Sequence, residues 1–151
     1  MMRNQSGYVD PTAAKAIGLV TAETRRAERR PLVYICSPYR GDVDNNIQKA
    51  KKYCQFAIDK QVTPIATHLM YPQVLGKTET RKTRELAMSM GRNIIKRCRE
   101  LWWFGDHQTD GMKDEIEYAR HKALIIRHFS ENCEEIPLAW KAQEERDYDP
   151  D

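Results

Sequence analysis

The chain has little that would mark a membrane, a metal centre or a secreted protein. Nowhere in its 151 residues does an apolar run approach the roughly 18 to 20 that span a bilayer, and the N-terminus lacks the apolar core of a signal peptide. A cytoplasmic protein without a membrane partner is expected. Cysteine is sparse: Cys36, Cys54, Cys98 and Cys133 form no CxxC pair and have no nearby histidine at zinc-ligand spacing. Cys36 lies in an apolar run, and Cys54 and Cys98 lie on the apolar faces of predicted helices. These three read as buried free thiols, so no metal site is expected. The four histidines are equally scattered, and no internal repeat is visible. Charge of one sign is also in short supply. The net +3 falls far short of the basic stripe of a nucleic-acid binder.

What is present is 40% hydrophobic and 31% charged residues, enough for one globular domain with a polar surface. The small net charge hides a gradient. Residues 1–30 are net +3, residues 31–128 net +6 and residues 129–151 net −6. A mildly basic body suits a phosphate-bearing ligand. The cluster "RRAERR" at 25–30 reads as a solvated helix end or linker, so no nucleic-acid partner is expected. The organisation expected is an N-terminal extension over 1–30, an α/β domain over 31–129 and an acidic tail over 130–151.

Asp10 and Pro11 open a short appendage helix, with Ala14, Ile17 and Val20 at helical spacing. From Pro31 the pattern becomes strand–helix alternation. "LVYIC" (32–36), "VTPIAT" (62–67), "ELWWF" (100–104) and "ALIIRHF" (123–129) read as strands. Between them, helices are expected from an Asn45 cap to Lys60, from Glu79 to Arg97 with Leu86, Met90, Ile94 and Cys98 stacked, and over 111–122. "HLMYPQVLGK" reads as a loop unusually rich in apolar residues, and Ile136, Leu138 and Trp140 in the tail can dock. The fold class expected is a three-layer, flavodoxin- or Rossmann-like α/β sandwich with a parallel sheet of four to five strands.

Ligands of open parallel sheets bind at the carboxyl ends of the strands. The loops leaving those ends are "SPYRGD", "THLMYPQ" and "GDHQTDG". They offer Ser37, Tyr39, Arg40, Gly41, Asp42, His68, Asp106, Thr109 and Asp110. They also offer a helix N-terminus at Gly111 and Met112, whose free N–H groups attract an anion. That set suits a small polar ligand bearing a phosphate or sugar. Glu115, taken by spacing alone, is an ordinary acid in the first turns of a helix.

Taken in order, "VYICSPYRGD", "TPIATHLMYPQ", "CRELWWFGD" and "DGMKDEIEYARHKALIIRHF" resemble the nucleoside 2-deoxyribosyltransferase-like superfamily over about residues 32–129. The resemblance is closest to an uncharacterised bacterial and phage branch. The opening is also similar to the Gly-Ser-Ile-Arg-Gly loop of 2′-deoxynucleoside 5′-phosphate N-hydrolases. It implies a glutamate nucleophile four residues after a glycine, which Gly111 and Glu115 match, and attack on C1′ of a deoxynucleoside or its monophosphate. Thr109 stands six before Glu115, where the transferases have Asp and the phosphate-dependent hydrolases Ser. By loop position, Arg40, the N–H groups of Gly111 and Met112, and the Thr109 hydroxyl are expected to hold a 5′-phosphate. Loop position likewise gives Tyr39 the task of orienting the carboxylate, and sets His68 or Asp106 to face the base. The resemblance implies a homo-oligomer and calls on no cofactor.

The chain departs from that pattern before the third strand. Catalytic members carry an acid there, in an "RDxxxLxxCD"-like stretch that helps to protonate the leaving base. Here the stretch is "GRNIIKRCRE", with Gly91 or Asn93 near the first Asp and Arg99 in place of the second. Losing a general acid costs about 10²- to 10⁴-fold in rate. Two readings therefore stand side by side: an N-glycosidase or deoxyribosyltransferase, and a noncatalytic nucleotide-binding protein that senses or sequesters a nucleotide signal.

Overall fold

The computed structural model describes residues 11–76 and 79–138; the expected Asp10 cap, Trp140 and most of the acidic tail lie outside them. The chain divides into two compact units at Arg30 and Pro31. The first contains one helix, α1 (Pro11–Glu28), with Pro11 at its first position as expected. Ile17 and Val20 on it are exposed.

The second unit holds a five-stranded sheet, β1 (Leu32–Cys36), β2 (Thr63–Ile65), β3 (Glu100–Phe104), β4 (Ile125–Phe129) and β5 (Glu135–Ile136), in the order β2-β1-β3-β4-β5. β1 to β4 are parallel, and β5 adds antiparallel to β4. This is the α/β sandwich expected, with the doubly wound order of flavodoxin-like sheets. The helices are α2 (Val43–Asp59), the short α3 (Tyr71–Leu75), α4 (Arg81–Ile95) and α5 (Asp110–His121).

Both faces of β1 and β3 are covered, which is why each reads as a continuous apolar run. Val33, Ile35, Trp102 and Phe104 point to α2, where Tyr53 stacks on Phe104 with centroids 4.1 Å apart. Tyr34, Cys36, Leu101 and Trp103 point to the other side, against Ile95 of α4 and Met112, Ile116 and Ala119 of α5.

Several elements differ from expectation, each for a local reason. α2 begins two residues before Asn45, because the Asp42 side chain caps it by accepting from the Asn45 N–H at 3.3 Å. "HLMYPQVL" is not a loop but a 3₁₀ turn (Thr67–Leu69) followed by α3, whose first turn tolerates Pro72. α4 starts at Arg81 rather than Glu79, held by a reciprocal cap between Thr80 and Thr83. Its inner face is not the four-residue row from Leu86, because such a row drifts by about 40° per step around a helix. Leu86 is exposed, whereas Gly91 and Ile95 are buried. The sheet also continues past residue 129. Arg127 forks onto Glu135 with bonds of 2.8 and 2.7 Å, tying the β5 edge to β4.

Candidate active site

A cavity of about 630 Å³ opens where the carboxyl ends of β1 and β2 meet α3, α4 and the start of α5. Ser37, Tyr39, Arg40, Gly41, His68, Thr109, Asp110, Gly111, Met112 and Glu115, all expected at the site, line it. Asp42 and Asp106 do not. Asp42 is occupied as the α2 cap. Asp106 is exposed outside the cavity and pairs with its neighbour His107 at 2.7 Å.

Glu115 sits one turn into α5, on the helix face turned to the sheet. Its Oε1 accepts from the Tyr34 hydroxyl at 2.8 Å and its Oε2 from the Cys36 thiol at 3.2 Å. The Tyr34 proton is committed to the carboxylate, so the Thr67 hydroxyl donates to Tyr34, at 2.8 Å. A relay thus runs from β2's exit through β1 to α5. Burial pushes the Glu115 carboxyl above its ordinary value, and the Tyr34 and Cys36 donors offset part of that. Burial, reinforced by the Glu115 charge, pushes Tyr34 and Cys36 up in turn, so both keep their protons. The tyrosine bonded to the Glu115 carboxylate is Tyr34 and not the expected Tyr39. Tyr34 lies on the strand directly beneath α5, while Tyr39 lies in the loop, its ring 6.3 Å from that of His68.

His68 bonds through Nε2 to the Ser37 hydroxyl at 3.1 Å. Burial lowers its pKa to about 4, so at neutral pH it is an uncharged hydrogen-bonding group rather than an acid. Two residues expected to hold a phosphate are already engaged. Arg40 forks onto Glu79 at 2.6 and 3.1 Å. Thr109 is the α5 cap, and its hydroxyl accepts from the Met112 N–H at 3.3 Å.

Residues absent from the sequence-based set are Tyr34, Cys36 and Thr67 below the carboxylate, and Gly91, Arg84, Met88 and Arg92 on α4. A Cβ on Gly91 would stand 3.4 Å from the Tyr34 hydroxyl oxygen and 3.9 Å from Glu115 Oε1, so α4 passes within ordinary contact of the carboxylate and its tyrosine. A signal for Tyr34 did exist. A tyrosine inside a buried strand needs a partner for its hydroxyl. Among the described residues, no three histidine, cysteine or acidic side chains gather as a metal site would require. No described helix is long and apolar enough to cross a membrane.

Residues 31–129 match the model of a family described as a domain of unknown function, DUF7768. No curated protein matches the sequence. Among solved structures, the chain is similar to the 2-deoxyribosyltransferase from the psychrotolerant bacterium Bacillus psychrosaccharolyticus, with a TM-score of 0.53 and 19% identity over 78% of this chain and 92% of that one. That likeness is one of fold.

Proposed function

The chain belongs to the DUF7768 family, and on that premise we propose that it breaks the N-glycosidic bond between base and deoxyribose in a nucleoside or nucleotide, with Glu115 as nucleophile. One observation carries the reading. The Glu115 carboxylate lines the cavity with a hydroxyl donor on one oxygen and a thiol donor on the other. Two donors from a rigid strand hold the group in one orientation, which is what attack on a carbon centre needs. The shared fold of a 2-deoxyribosyltransferase supports the substrate class.

In the first step a Glu115 oxygen bonds to C1′ as the C1′–N bond breaks; the electron pair leaves with the base, which takes up a proton. Water, or a second base, then attacks C1′, and the bond to Glu115 breaks to return the carboxylate. Two inversions retain configuration, and each passes through an oxocarbenium-like transition state. Neutral His68, fixed by Ser37, faces the base, and no cofactor takes part. The same reading expects a homo-oligomer working in the cytoplasm.

A second reading, a noncatalytic nucleotide-binding protein, is favoured by Gly91. It presents no side chain toward Glu115 that would protonate a departing base. A panel of deoxynucleosides and their 5′-monophosphates, followed by chromatography for free base, separates the two. Release by the wild type that disappears in Glu115→Ala supports the glycosidase; an unchanged rate in the variant removes Glu115 as nucleophile. Calorimetric binding of a nucleotide without release favours the second reading, and neither heat nor release sinks both.

A further inference from the structure

The charges lining the cavity are segregated. The α5 wall is acidic, with Asp110, Asp114 and Glu115, whereas the α4 wall carries Arg84 and Arg92. The third arginine, Arg40, is neutralised by Glu79 at the rim. Arg84 is half-buried and makes no ion pair or side-chain hydrogen bond with any described residue. Arg92 is exposed and lies over a ring face, with its guanidinium carbon 5.5 Å from the centre of Tyr118. A cation partly withdrawn from water and left without a counter-ion is costly unless an anion completes it.

The α5 N-terminus is poorly suited to a second anion. Its dipole is already answered by Asp110 in the first turn, and the Met112 N–H is bonded to Thr109. We propose that the α4 wall, with Arg84 at its centre, is an anion subsite that takes the phosphoryl end of the ligand, in place of the loop after β1 and the start of α5. This rests on the reading that the cavity receives a nucleotide.

Helical spacing gives the subsite a direction. Arg84, Ala87, Met88 and Gly91 fall at the i, i+3, i+4 and i+7 positions of one stripe. Gly91 abuts Glu115, and Arg84 lies seven residues earlier on α4, about 10 Å along the helix axis. Arginine side chains in a helix lean toward its N-terminus, which adds to that separation. The apolar Ala87 and Met88 surface lies between. The ligand is thus laid along α4, with its reacting carbon by Gly91 and Glu115 and its phosphoryl group toward Arg84.

Calorimetric titration with inorganic phosphate and with pyrophosphate tests the subsite without any turnover. Both are expected to bind the wild-type chain, and Arg84→Gln is expected to weaken them about 10- to 100-fold, as loss of a charge-assisted hydrogen bond does. Arg84→Lys recovers part of the binding, which guards against a folding defect, and Arg40→Gln retains it. Binding unchanged in Arg84→Gln, binding lost in Arg40→Gln alone, or no binding to the wild type at millimolar anion overturns the proposal. Anion binding without base release leaves the subsite standing and counts against the glycosidase. Base release without anion binding does the reverse.

Discussion

Replacing Tyr34 by Phe removes one oxygen from a buried residue and cuts the relay from Thr67 to Glu115 at its centre. The lost bond is to an ionised carboxylate, worth about 1.5–3 kcal/mol, and the Thr67 hydroxyl loses its acceptor at a further cost of about 1 kcal/mol. Losing that donor moves the Glu115 carboxyl further up, because the Tyr34 hydroxyl is one of the two groups that offset its burial. The sign with respect to pH follows from linkage. Glu115 in the folded chain already titrates above its ordinary 4.5, so the folded state holds that proton more tightly than the unfolded state. Its burial therefore costs stability above the folded pKa, and the cost fades as pH falls toward 4.5. Tyr34→Phe raises the folded pKa further and enlarges that cost. Denaturant unfolding at pH 7.5 and pH 4.5 is the assay. The gap between wild type and variant is expected to be larger at the higher pH by about 1.5–3 kcal/mol. If the chain releases base, the acid limb of its pH–rate profile moves up in parallel. A gap of equal size at both pH values would refute the reasoning, because the hydroxyl would then be stabilising the fold and not the charge.

Gly91→Ala is expected to fold at least as well as the wild type, since alanine gains up to about 1 kcal/mol in a helix interior and its Cβ meets Tyr34 at an ordinary 3.4 Å. Gly91→Leu must displace Tyr34 or Glu115, costing about 1–3 kcal/mol and abolishing base release; thermal unfolding that finds leucine as stable as alanine would show α4 standing farther off. His68 titrates at about 4 in the folded chain and near 6.5 when unfolded, so stability is lost as pH falls through that window, by up to about 3 kcal/mol. His68→Gln is expected to flatten the stability curve between those pH values, and an unchanged slope would mean the imidazole reaches water.

The parallel strands were legible because burial on both faces writes itself as an unbroken apolar run, as in "LVYIC" and "ELWWF". Elements decided by partners distant in sequence were not. β5 is two residues long, and its position follows from Glu135 meeting Arg127. The α4 cap escaped notice because its third helical residue is Thr83, not the Glu or Gln of the usual reciprocal cap. α3 was hidden by Pro72, which breaks helices in their interior but not in their first turn.

The site divides along the same line. Loop residues such as Ser37, His68 and Gly111 were legible, since polar side chains at the carboxyl ends of parallel strands have few other reasons to gather. Tyr34 and Cys36 were concealed by the run that identified β1, because alternation sends every second side chain of a buried strand to α5 and apolarity does not say which. What distinguishes them is the group they serve. Glu115 is a carboxylate drawn below the surface with a hydroxyl and a thiol as donors and no ion pair among the described residues. A charge held that way lowers stability, and a glutamine of the same shape would relieve it. Sites that keep a costly charge where a neutral isostere fits are those in which the charge is used. The withdrawal of Glu115 from solvent therefore supports the proposed nucleophile more strongly than its distance from Gly111 does, since many helix starts share that spacing and few draw the acid inward.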